Sequence, residues 1–346
     1  MARPKLQHYV TRAYLEGFLA QNEKFLVCYG RGLGPFRKQP DELAGQRNYY
    51  AIKNPDGSWD DRLEHTIDQS IESPGLPIVK KLASGRTRLN WDERNKLAML
   101  MAFQDARTPA TRARVRENMN AFQERLLGDV WAANPNQKTI DLVGKNGKSV
   151  TVTLDEMTAS HTKLVTDDHC FEIHRLMMGH AFRLAGIFER MKITVYFATD
   201  ADFVTTDTPV IRVFTSELPL GYGMQRPDIE VGFPLSRRAF LTLTHDMKLV
   251  ERIRNADERT RERLLAATPE IKIRYASNAQ VRAFNRGHVR HAHRWIFASR
   301  ELDWAPELLA QPSVPPKVLD LSTRDLMHFQ SVVAYDPRID QLEPLH

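Results

Sequence analysis

Between Asn90 and Pro109 the chain reads NWDERNKLAMLMAFQDARTP, and no other stretch limits its folding so strongly. Asn90 stands at the N-cap and Glu93 at the third helical position, the two halves of a capping box. From Ala98 to Phe103 every residue is apolar, so this helix has no face for water and other elements must enclose it. It nevertheless ends in QDART, where Gln104 continues the inner stripe and Arg107 follows it by three, before Pro109 starts a new segment. Polar groups at the end of an enclosed helix need partners.

Further elements follow from periodicity. A helix from Arg62 carries Leu63, Ile67 and Ile71 at four-residue steps, with Glu64, Asp68 and Glu72 on a neighbouring stripe, and Pro74 and Pro77 are expected to break or kink it. A third helix, from Ala110 to Trp131, is basic on one face through Arg112, Arg114 and Arg116. Asn-Gly within KNGK predicts a hairpin, and Thr153 with Glu156 a second capping box. A long helix then runs to Arg190 with an inner stripe at Ile173, Met177, His180, Leu184 and either Ile187 or Phe188. Strand-forming runs are LysPheLeuValCysTyr ending at Tyr29, then KITVYFAT, DFVTTD, IRVF, EVGFPLS, AFLTLT, IKIRY and RWIFAS, with helices at 256–267 and 277–292 among the last of them. The expected fold class is α+β, a helical first half packed against a mixed, largely antiparallel sheet from the second half. One domain is expected over 1–300, its helical part roughly 1–190 and its sheet-rich part roughly 191–300, with a proline-interrupted extension over 301–346.

The chain has 346 residues and 42% hydrophobic content, enough for a large core. Its two cysteines, Cys28 and Cys170, match no zinc, haem or redox spacing, which points to free thiols in a reducing compartment. No apolar run has the length of a signal peptide or a membrane span, so a cytoplasmic protein with no membrane partner is expected. The net charge of +6 allows a polyanionic partner such as nucleic acid, although no block of like charges forms a basic tail. The sequence holds no GxSxG, P-loop, GxGxxG after a strand, HExxH or calcium loop.

Six segments in order are QHYVTRAYLEGF from Gln7, LEHTIDQSIES, FQDARTP, FVTTDTPV, FPLSRRAFLTL and VRAFNRGHVRHAHRWIFAS. Together they resemble the bacterial domain-of-unknown-function family numbered 4238, over roughly residues 5 to 300. Members open on QHYVPxFYLxxF and carry TSDNPV; here Thr11 takes the proline position and Thr208 the asparagine position. The resemblance implies candidate residues and no mechanism.

Each candidate has a functional and a structural reading. His8 can serve as base, metal ligand or phosphate contact, or it can anchor the terminus. Asp207 ends a strand in a Thr-Thr-Asp-Thr-Pro turn, either projecting toward a ligand or closing an Asx turn. Glu64 and Glu72 share a helix face, where they can bind a divalent cation such as magnesium, act as acid and base, or simply be solvated. Arg12 and Arg107 can clamp phosphate or pair with Glu72 or Asp207. Asn285 can hold a loop, orient a water or bond another helix. His288, His291 and His293 lack a third ligand at coordinating spacing, and His180 fits a core histidine.

Two functions follow. In the first, the protein is a hydrolase of a phosphate-bearing or nucleic-acid substrate, such as a nuclease of defence or toxicity. His8 or a glutamate is then the base, Glu72 and Asp207 hold the cation, and Arg12 and Arg107 stabilise charge. In the second it is a non-catalytic binding module whose polar residues form one buried network. A shared open pocket separates the first from the second.

Overall fold

The capping box forms at the head of the apolar helix: Asn90 Oδ1 accepts the Glu93 amide at 2.8 Å, and Glu93 Oε2 accepts the Asn90 amide at 3.0 Å. The computed structural model describes residues 6–53, 58–117, 139–143, 149–153, 171–214 and 226–312, with a few isolated positions. The third helix beyond 117, the hairpin turn, Cys170, the side chain of Ile173, most of the Gly/Pro loop after Ser216 and the extension from 313 onward lie outside the described residues.

The first half gives β1 (Leu6–His8), α1 (Arg12–Leu15), β2 (Leu26–Gly30), β3 (Leu33–Lys38), β4 (Gly45–Arg47), β5 (Ile52–Lys53), β6 (Trp59–Asp60), α2 (Arg62–Ile67), α3 (Ser73–Ala83), α4 (Trp91–Ala106) and α5 (109–117). Then follow β7 (Thr139–Val143), β8 (Ser149–Thr153), α6 (Phe171–Phe188), β9 (Lys192–Ala198), β10 (Thr205–Thr206), β11 (Ile211–Phe214), β12 (Ile229–Ser236) and β13 (Ala239–Thr244). The chain continues with α7 (Met247–Asn255), α8 (Glu258–Ala266), β14 (Lys272–Ala276), α9 (Asn278–Arg290), β15 (Trp295–Ala298) and α10 (Ala305–Ala310). The architecture is mixed α+β, with the helices early and a mixed sheet in the second half.

As its composition requires, α4 is enclosed: Leu97 through Phe103, apart from Met99, are buried, and the helix packs between α6 and α3. From the other side α6 presents Met177, His180, Leu184 and Phe188, the stripe read from sequence. The larger sheet has the order β11-β12-β13-β9-β14 and is antiparallel except for the parallel pair β9 and β14. Its Ile193, Val195, Val231, Phe233, Leu241 and Leu243 enter the same core as α4.

Three features depart from expectation. First, Pro74 and Pro77 do not end the helix. A π turn over Asp68–Glu72 joins α2 to α3, and Pro74 then falls in the first turn of α3, where a missing N–H costs least. Second, strands from both halves build one antiparallel sheet, β10-β15-β2-β3. All five residues of β2 are buried, because the main core covers one face and a second cluster with Val289, Ile296 and Leu309 covers the other. Gly30 in β2 lies under Trp295, and a Cβ there would sit 2.3 Å from the ring. Third, α7 arises where no helix was read; Asp246 caps it, but Met247 and Val250 stay exposed. Among the described residues no helix is long and apolar enough to cross a membrane.

Candidate functional site

The polar end of α4 meets its partners at a junction between the amino terminus, α2, α3, α5 and the large sheet. Gln104 donates to the Tyr9 carbonyl at 2.7 Å and accepts from Arg107 Nη2 at 2.7 Å. Arg107 also donates to Glu72, which the π turn brings within reach, and its carbonyl accepts the Tyr49 hydroxyl at 2.8 Å. Asp105 points to the sheet, where Arg212 donates to it at 3.1 Å and His180 Nε2 lies 3.9 Å away. Arg112 covers the Tyr49 ring at 3.8 Å from its centroid and donates to the Tyr49 carbonyl at 2.8 Å. Gln7 ties the terminus in by donating to Glu64 at 2.9 Å and accepting the Tyr50 amide at 2.6 Å.

Asp207 occupies a separate recess beside this junction. Its carboxylate accepts three consecutive backbone amides, from His293 at 2.9 Å, Arg294 at 2.7 Å and Trp295 at 3.0 Å. Burial pushes its pKa up to about 7, while the three amides pull the other way by favouring the charged form. Its charge reaches Tyr9, whose hydroxyl is held above the usual phenol range chiefly by burial and then by Asp207. Burial, then Arg212, Arg183 and Arg114, push His180 down to about 3, so it is a neutral imidazole at pH 7.

The candidates His8, Arg12, Glu72, Arg107 and Asp207 therefore come together only in part. Glu72 and Arg107 meet, and Asp207 lies electrostatically close to Tyr9, but His8 and Arg12 turn elsewhere. Strand alternation buries Gln7 and leaves His8 outward, where its Nε2 lies 3.0 Å from the Asp41 carbonyl. The inner side of α1 belongs to Tyr14 and Leu15, so Arg12 faces solvent and pairs with Glu16 at 2.8 Å. Asn285 holds a loop: its amide donates to the Asp202 carbonyl at 2.9 Å and its Oδ1 accepts the Val204 amide at 3.1 Å. The arginines of the third helix also differ from expectation, since Arg112 is buried on Tyr49 and Arg114 donates to Thr111. For Glu72 and Asp207 as cation ligands, the geometry offers an arginine to the first and backbone amides to the second. Among the described residues no group of three His, Cys, Asp or Glu side chains could hold a metal ion.

Sequence reasoning passed over Asp105, Gln7, Tyr49 and Arg212. Asp105 sits inside FQDARTP beside two residues that were singled out. Arg212 gave no such signal: apolar alternation in IRVF would turn Ile211 and Val213 inward and Arg212 outward, whereas Ile211 and Arg212 are both buried and Val213 is exposed.

The family described as Protein of unknown function (DUF4238) matches residues 6–301, and the chain belongs to that family. No curated protein and no solved structure matches the chain.

Proposed function

We propose that this protein is a non-catalytic binding module for a phosphate-bearing polymer, nucleic acid being the class its charge suits. The observation that carries this reading is the closure of the junction and of the Asp207 position beside it: Arg107 is 4% exposed and Asp207 1%, with their charged atoms directed at protein partners. A substrate has no access to such groups, whereas a frame for a binding surface needs them shut. A cationic surface supports the choice of partner. Lys192, Lys272 and Arg274 lie on one face of the parallel pair at the β14 edge of the sheet, and no carboxylate among the described residues forms an ion pair with them. Lys192 crowds Lys272 closely enough to depress its pKa.

The test uses labelled single- and double-stranded DNA and RNA with magnesium or manganese, at low and moderate salt. Binding is expected to weaken steeply with salt and to fall by about tenfold in Lys272→Glu/Arg274→Glu, with no cleavage. Cleavage that Asp207→Asn abolishes would replace this reading with the hydrolase.

A further inference from the structure

A cleft of about 430 Å³ opens at the carboxyl ends of the parallel strands β9 and β14. One wall is the loop that leaves β9 at Asp200 to Val204. The second is the start of α9, which leaves β14 directly, and the third runs from Ala298 to Trp304. Clefts at the carboxyl ends of parallel strands, beside a helix amino terminus, are where α/β sheets receive phosphorylated ligands, because loops and free helix amides converge there.

The walls are rigid. Arg238 donates to the carbonyls of Thr199 at 2.7 Å, Asp200 at 2.9 Å and Ala201 at 3.1 Å, fixing three successive residues with one guanidinium. From α9, Asn278 accepts the Ala201 amide at 3.1 Å and Asn285 grips the loop from Asp202 to Val204. Asp202 is consumed at the base, with Ser299 donating to it at 2.8 Å, Arg237 at 3.2 Å and Arg238 at 3.3 Å.

The rim contrasts with these walls. The Arg282 side chain has no hydrogen-bond or ion-pair partner among the described residues, and Arg300 comes no nearer to a carboxylate than 3.9 Å, from the already shared Asp202. The carboxylates of Asp200 and Asp303 are likewise uncommitted among the described residues, and half-buried Trp304 supplies an aromatic surface. A preformed slot therefore combines an aromatic wall, two cations and two acceptors for N–H or O–H groups. A planar ring, hydroxyl or amino donors and an anion are the complementary features, and the volume suits a small ligand.

We infer that this cleft is a nucleoside phosphate site, with the base against Trp304 and the phosphate on Arg282 and Arg300. The ligand is either a free nucleotide or the end of a strand held along the β14 edge. The site stands on its own walls and rim, independently of polymer binding.

Calorimetric titration of the full chain with nucleoside monophosphates, the matching nucleosides and inorganic phosphate tests it. Saturable binding is expected for a monophosphate, at least tenfold tighter than for its nucleoside or for phosphate. Arg282→Glu and Trp304→Phe are each expected to weaken it with the melting temperature held, while Lys272→Glu leaves it unchanged. Absence of saturable binding by every monophosphate, equal binding of inorganic phosphate, or indifference to Arg282→Glu overturns the site. A parallel titration with short single strands separates the sources: tighter binding than the monophosphate, sensitive to both Arg282→Glu and Lys272→Glu, places a strand end in the cleft. Binding of monophosphates without any binding of strands keeps the site and removes the polymer reading. Strand binding that ignores Arg282 and Trp304, with no monophosphate binding, does the reverse.

Discussion

Arg107 donates to Glu72 from a position only 4% exposed, while the Glu72 side chain keeps 15% of its surface open. The guanidinium is thus the more deeply committed member, and its loss and the loss of its partner differ in kind. Glu72→Leu strands a buried charge and is expected to cost about 3–5 kcal/mol. The double variant Glu72→Leu/Arg107→Met, which removes both charges at similar volume, should recover most of that loss in urea unfolding. A double variant no more stable than Glu72→Leu alone would show that Arg107 acts through other contacts.

Tyr14 joins the amino terminus to the large sheet. Its hydroxyl donates to the Pro234 carbonyl at 2.7 Å and lies 3.0 Å from Thr205 Oγ1, and its ring stacks on Phe233. Tyr14→Phe keeps the stacking and leaves a buried carbonyl unbonded, for an expected loss of about 1–3 kcal/mol. Deletion of residues 1 to 18 should abolish cooperative unfolding, because Val10, Leu15 and Phe18 are also fully buried. A truncated chain with an unchanged midpoint would contradict both expectations.

Acid stability has opposing contributors. His180 and His288 are pushed by burial to about 3, below their ordinary 6.5, so the unfolded chain holds more protons between those values and stability falls as pH drops through that window. Asp207, raised from 3.8 to about 7, does the opposite: the folded state holds the extra proton, so stability falls as pH rises from 3.8 to 7. Two histidines outweigh one carboxyl, and a net loss on acidification is expected. His288 is fully buried with neither ring nitrogen bonded among the described residues, so His288→Leu should flatten the acid limb, while Asp207→Asn should steepen it. Thermal melts between pH 4 and 7.5 read both slopes; parallel curves for all three proteins would refute the assignment.

Thr208 is 3% exposed and its hydroxyl has no hydrogen-bond partner among the described residues. Thr208→Val removes that group at nearly the same shape and should be neutral or stabilising by up to about 1 kcal/mol. Destabilisation beyond 1 kcal/mol in urea, an order-of-magnitude threshold, would mean that the hydroxyl has a bonding role.

Local patterns carried much of this fold. Asn90 and Glu93 announced a helix because their capping is made within four residues, and the stripe from Met177 to Phe188 is a property of one helix. The site was less legible, since its contacts join distant segments. Nothing around Asp207 signals the amides of His293, Arg294 and Trp295, and backbone donors carry no residue-type signature. Arg12 misled for the opposite reason: it neighbours deeply buried residues, but one position of rotation on a four-residue helix turns it to solvent. The membership of β2 in a sheet with β15 was equally hidden, because strand pairing at long separation is set by which edges meet after the helices have collapsed.

That pairing has a consequence for biosynthesis. Tyr29 accepts the backbone amide of Leu302, 273 residues further along, and β2 acquires its neighbour β15 from the same distant region. A nascent chain emerging from the ribosome must therefore carry an apolar strand with β3 on one edge but without β15 on the other until the region from Trp295 to Leu302 has been translated. Folding through such late contacts is slow, and during the wait β2 is exposed to association with other chains.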